Sequence, residues 1–111
     1  MKQEPVRVLT ALRGPVARVG VAGEIDDATV DRLVDALAGL CQPPLERVEL
    51  DLSSVGYLGS AGVRALAQAA DNPAGVSVQV VGASAVVRRV LELTGVDRRL
   101  LAAGPPALRS R

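Results

Sequence analysis

Between Arg47 and Leu66 the apolar period of the chain changes, and no other feature constrains the fold as tightly. Val48, Leu50 and Leu52 alternate with polar neighbours and point one way, as one face of a strand does. Val63, Leu66, Ala67 and Ala70 recur at helical spacing. The stretch between them, Ser53-Ser54-Val55-Gly56-Tyr57-Leu58-Gly59, reads as a short flexible loop that delivers Ser60 to the first turn of the helix. A strand that hands over so quickly to a helix feeds a crossover, and crossovers join parallel strands.

The flanking sequence fits the same scheme. Val6 to Leu12 alternates loosely and stops at the turn signal Arg13-Gly14-Pro15; Val16 to Val21 resumes, which predicts an antiparallel hairpin. Gly23-Glu24-Ile25-Asp26-Asp27 breaks the pattern and supplies N-cap candidates. From Ala28 to Cys41 the spacing predicts a helix with Val30, Leu33, Val34, Leu37 and Leu40 on one face, ended by Gln42-Pro43-Pro44. Val76 to Val81 is the next strand. Ser84 then caps a helix carrying Val86, Val87, Val90, Leu91 and Leu93, with Gly95 at its C-cap and a short turn from Asp97 to Leu101. The order β-β-α-β-α-β-α-(α) predicts an α/β fold: a four-stranded mixed sheet with one antiparallel edge and helices mainly on one side. Residues 1–103 form the expected domain, and residues 104–111 a flexible C-terminal tail.

Composition removes several function classes. Apolar residues make up 49 % of the chain, yet Tyr57 is the single aromatic, so the core must be Val, Leu, Ile and Ala. The stacking platforms of single-strand and RNA-binding proteins are missing. Thirteen basic and twelve acidic residues leave a net charge of +1, so no long-range field draws nucleic acid or a membrane. Without histidine there is no Ser-His-Asp or Cys-His chemistry and no imidazole metal site. Glycines are frequent, but neither Gly-x-Gly-x-x-Gly nor Gly-x-x-x-x-Gly-Lys occurs. Neither an enzyme nor a cofactor or metal is therefore expected. The lone Cys41 reads as core packing in a reducing compartment. No charged-then-apolar leader or bilayer-length apolar run is visible, so the expected location is cytoplasmic.

Two roles are open to Ser60. As an N-cap its hydroxyl would bond an orphan amide, worth roughly 1 kcal/mol. As a phosphoacceptor it is framed by the small residues Gly59, Ala61 and Gly62, which leave a hydroxyl open to another protein's active site. A phosphoryl group would add about −1.5 to −2 charges, which helix N-terminal amides accept without unfolding. Arg64, four residues on, lies within reach. Glu24, Asp26, Asp27 and Asp51 lie near strand ends, where open α/β sheets place functional groups. A metal site would need them to converge; helix capping by Asp26 or Asp27 is the simpler role. Asp27, Asp31 and Asp35 form an outward row, a solvated face and also a candidate docking strip. Tyr57 is either half-buried against its loop, which is the favoured placement, or exposed for a partner.

Gly23-Glu24-Ile25-Asp26, then Asp51 through Gly62 (DLSSVGYLGSAG), then Val87-Arg88-Arg89-Val90-Leu91-Glu92-Leu93-Thr94-Gly95-Val96, together resemble a STAS domain, in particular the single-domain bacterial anti-sigma factor antagonists. The resemblance runs from Val6 to Leu101. It implies partner switching: the unphosphorylated antagonist binds an anti-sigma factor that is also a serine kinase, a sigma factor is freed, the kinase phosphorylates the antagonist, and a phosphatase resets it. Carried over by position, Ser60 is the phosphoacceptor and Asp26 an acidic loop residue beside the docking surface. The expected partner-binding residues are Asp26, Asp27, Asp31, Gly59, Ser60, Ala61, Gly62 and Arg64.

One departure from the family pattern bears on regulation. The residue before the acceptor serine is usually Asp and here is Gly59; a second serine often follows, where this chain has Ala61. Gly59 thus leaves a second expectation standing beside the first. In it the chain is a constitutive STAS adaptor subunit, of a lipid-transport ATPase or a stress-signalling complex, not regulated by phosphorylation.

Overall fold

Gly14, at a left-handed φ of 59°, and Pro15 make the two-residue turn between β1 (Arg7–Arg13) and β2 (Val16–Ile25). The computed structural model describes residues 6–100; the tail expected at 104–111 lies outside them. β1 and β2 pair antiparallel, from Arg13 opposite Val16 to Arg7 opposite Ala22. β3 (Arg47–Leu58) runs parallel to β2, and β4 (Ser77–Ala83) parallel to β3, giving the spatial order β1-β2-β3-β4. The crossovers are α1 (Val30–Leu40) and α2 (Ser60–Ala70); α3 (Ala85–Thr94) and the short α4 (Asp97–Leu100) follow β4. α1 packs on α2, and α2 packs on both α3 and α4, so the helices form one layer over one face of the sheet. The four-stranded mixed sheet, its antiparallel edge and the element order are those expected from the sequence.

The core lies between these layers and is built of aliphatic side chains. Val19, Val48, Leu50 and Leu52 of the sheet, with Leu33, Leu66, Val87 and Leu91 of the helices, are all fully buried. Each such side chain contributes about 1.5–3 kcal/mol on burial. Cys41 ends α1 half-buried against this core, and burial pushes its thiol pKa up.

Three details differ from the sequence reading. In α1, Leu33 and Leu37 carry the buried line, and Val34 is 40 % exposed. In α3 the buried line is Val87 and Leu91, one turn apart, with Val86 and Leu93 turned to solvent. A helix resting on a sheet buries a narrow stripe, so flanking apolar positions stay wet. The third difference is larger. Ser53 to Leu58 is strand, and only Gly59 separates β3 from α2.

The reason lies in the pairing of β3 with β2. Asp51 sits opposite Gly20 but Ser54 opposite Ala22; Val55 sits opposite Gly23 but Tyr57 opposite Glu24. Each slip inserts one extra residue into β3, a β-bulge. Burial therefore falls on Leu52, Val55 and Leu58, every third residue. That spacing matches neither the strand period nor an amphipathic helix, and in sequence it passes for a loop.

Candidate functional site

The C-terminal ends of β2 and β3, the turn that follows β2 and the first turn of α2 meet around an open cleft. It encloses about 350 Å³ and is lined by Asp26, Asp27, Ala28, Tyr57, Gly59 and Ser60. Strand ends are where open α/β sheets place ligands and partners.

Asp26 builds one wall. Its Oδ1 accepts from the Ala28 amide at 2.9 Å and the Thr29 amide at 3.1 Å, and its carbonyl accepts from Val30 at 2.9 Å. Thr29 Oγ1 accepts from the Asp26 amide and donates to the Glu24 carbonyl at 2.6 Å. These bonds lock the turn after β2 and satisfy donors ahead of α1, whose own N-cap, Thr29, makes no side-chain cap bond. Capping by Asp26 was one of the roles expected of it. Asp27 and, in the first turn of α1, Asp31 are exposed.

Ser60 forms the opposite wall, and it does not cap. Gly59, extended at φ −87° and ψ −178°, occupies the N-cap position, and Ser60 is the first helical residue. Backbone pairing forces this register: the Gly59 amide donates to the Ile25 carbonyl at 2.9 Å, and its carbonyl accepts from Val63 at 3.0 Å. Among the described residues no hydrogen bond reaches the Ser60 hydroxyl, which is exposed. The first amides of α2 have no carbonyl a turn behind them and no side-chain cap. They are ready anion donors.

Gly62 and Gly59 have separate reasons to lack a side chain. A Cβ on Gly62 would sit 2.5 Å from Leu58 Cδ1 and 2.8 Å from Ile25 Cγ2, so the helix rests directly on the two strand ends. Gly62 itself is buried beneath the helix start. At Gly59 a Cβ would come within 3.2 Å of the Tyr57 ring and hydroxyl, which lie over it. Ala61 is half-buried, and Arg64 is exposed one turn beyond Ser60.

The structure thus brings Asp26, Asp27, Gly59 and Ser60 into one cleft, with Asp31, Ala61 and Arg64 on its surroundings. Tyr57 completes the cleft and is exposed, not half-buried against a loop as expected, because it belongs to the end of β3. Its place there was hidden because the bulge at Gly56, which turns it outward, leaves no periodic signal.

Asp51 does not join them. It lies on the opposite, helix-free face of the sheet, beside Arg7, Gly20 and Ser54. There the Ser53 hydroxyl at 2.6 Å and the Ser53 amide at 3.0 Å both donate to its Oδ1 and hold its carboxyl below the usual carboxylate range. Among the described residues no three of His, Cys, Asp and Glu converge, and no helix is long and apolar enough to cross a membrane.

Comparison with known proteins agrees with the fold. The sequence model of the family described as "Mlab, STAS domain" matches residues 8–102. The chain belongs to the STAS domain family. This STAS domain is 34 % identical over 97 residues to the anti-sigma-F factor antagonist RsfB of Mycobacterium tuberculosis, covering 86 % of this chain and 79 % of that one. The crystal structure of an anti-sigma factor antagonist from Mycobacterium paratuberculosis superposes with a TM-score of 0.77 at 29 % identity, covering 89 % of this chain and 87 % of the other. The antagonist SpoIIAA in its unphosphorylated form shares the fold at a TM-score of 0.72 and 13 % identity, over 86 % of each chain.

Proposed function

We propose that this STAS domain is an anti-sigma factor antagonist that works by partner switching from the cleft around Ser60. Unphosphorylated, it binds an anti-sigma factor with serine kinase activity and so releases a sigma factor. Phosphorylation of Ser60 breaks that complex, and a phosphatase restores it. The domain is a cytoplasmic binding module and performs no chemistry of its own.

One observation carries the reading: an exposed serine hydroxyl, bonded to nothing among the described residues, at the first position of a helix whose leading amides are uncapped. A kinase can reach that hydroxyl without unfolding the domain. The phosphoryl group would lie against N–H donors and the positive end of the helix dipole, with Arg64 one turn away. The fold would stay as it is while the surface beside Asp26 and Asp27 gains strong negative charge. Support from outside the chain comes from the relatives named above, which are antagonists of anti-sigma factors.

Gly59 favours a second reading. With no carboxylate beside the hydroxyl, the domain could serve as a constitutive adaptor subunit whose partner never phosphorylates it. Co-purification from the native cell with wild-type and Ser60→Asp baits separates the two. The antagonist reading expects an ATP-binding anti-sigma factor on the wild-type bait and its loss from the variant, together with a Ser60 phosphopeptide by mass spectrometry. The same partners on both baits would overturn the switch and leave the adaptor.

A further inference from the structure

We infer that Tyr57 is the anchor of the docking surface, a residue that inserts into an apolar recess flanked by basic side chains on the anti-sigma factor. This inference rests on the proposed antagonist function and adds the residue that supplies the contact area.

Four observations converge on it. Tyr57 is the single aromatic side chain of the protein and is 50 % exposed. It lines the same cleft as Ser60. The other large apolar side chains in solvent, such as Leu9, Leu12 and Leu93, do not line that cleft. Its exposure is also built rather than incidental. The slip that leaves Gly56 unpaired turns Tyr57 outward, between the buried Val55 and Leu58, and bulges commonly re-aim side chains beside functional sites.

Gly59 makes room for the ring. The ring and hydroxyl lie over the glycine so closely that any Cβ there would press on them. Tyr57 therefore lies over the glycine on one side, and half of its surface stays open to a partner. Aromatic side chains are the usual energetic centres of protein interfaces.

Charge around the ring specifies the partner. Glu24 is the register partner of Tyr57 on β2 and is exposed; Asp27 and Asp31 are exposed across the cleft and along α1. An apolar centre with carboxylates on its β2 and α1 side fits a recess that carries Lys or Arg on that side. At the Ser60 edge of the contact the exposed charge is Arg64, and a phosphoryl group there would turn that edge from positive to negative without touching the anchor.

The test is titration of the full chain against the purified anti-sigma factor that binds wild type, by calorimetry, with Tyr57→Ala, Tyr57→Phe and the distant control Leu9→Ala. Thermal melts of each variant run alongside. Tyr57→Ala is expected to weaken binding by roughly tenfold or more, as for an interface anchor, with its melt little changed. Tyr57→Phe, which keeps the ring, should stay within about threefold, and Leu9→Ala should match wild type. Binding of Tyr57→Ala at wild-type affinity overturns the anchor alone and leaves the antagonist reading standing. So does equal weakening by Leu9→Ala. Failure of the wild-type chain to bind any anti-sigma factor overturns the antagonist reading and the anchor with it.

Discussion

Two junctions in this molecule have the same plan, a strand, one extended residue and a helix, and each has a serine at or beside the joint. At the junction of β4 and α3, Ser84 is the N-cap: its hydroxyl accepts from the Val87 amide at 3.3 Å and donates to the Val55 carbonyl at 2.7 Å. At the junction of β3 and α2, Gly59 is the N-cap, and Ser60 falls one position later, where its hydroxyl bonds to nothing among the described residues. A shift of one residue separates a serine that holds the fold together from one left open to solvent. The third helical position differs as well, with fully buried Val87 in α3 and Gly62 in α2. A helix start that carries a side chain against the sheet stands off from it; one with glycine there settles directly onto Ile25 and Leu58.

The contrast breaks most visibly at Gly62. Gly62→Ala forces a methyl against Leu58 and the β-branched Ile25, and overpacking of this kind costs about 1–3 kcal/mol. Urea denaturation should show that loss, and the anti-sigma factor should bind more weakly as Ser60 is lifted. Unchanged stability would mean that α2 has room the glycine does not explain.

The next effect separates the two serines. Ser84→Ala removes a cap and leaves the Val55 carbonyl without its donor, a loss of roughly 0.5–2 kcal/mol. Ser60→Ala removes no bond and should stay within about 0.5 kcal/mol of wild type. Read as a cap, Ser60 should cost as much as Ser84; denaturation of the pair side by side decides between the two.

A third serine sharpens the comparison by pH, with the smallest effect. Ser53 depresses the Asp51 carboxyl pKa, so its bonds favour the folded state above the ordinary carboxylate pKa of about 3.9. As pH falls through the lower, folded value, Asp51 takes up its proton and that stabilisation is lost. Ser53→Ala should therefore trail wild type modestly near neutrality, and the gap should close in strong acid. A gap independent of pH would mean the Ser53 hydroxyl acts through something other than the carboxylate.

Much of the fold was legible because periodicity and punctuation agree. Arg13-Gly14-Pro15 marked the hairpin, the helical spacing from Val30 to Leu40 marked α1, and Gly95 the left-handed end of α3 at φ 79°. Ser84 was also legible as a cap, since nothing downstream disturbs its register. Of the cleft, Asp26, Asp27, Gly59 and Ser60 could be named as candidates, but their roles could not be sorted. The Ser60 register depends on a hydrogen bond from Gly59 to Ile25, thirty-odd positions earlier in the chain. No local pattern reports such a pairing.

What the sequence by itself determined is therefore the order of elements, the aliphatic core and the exclusion of histidine-based chemistry, because these follow from side-chain type and spacing along the chain. What only the tertiary structure decided is which serine caps and which stays open, where Tyr57 points and why Gly59 and Gly62 carry no side chain. Those outcomes depend on two bulges in β3 and on contact between strand ends and a helix. They are set by distances across the sheet, where sequence separation carries no information.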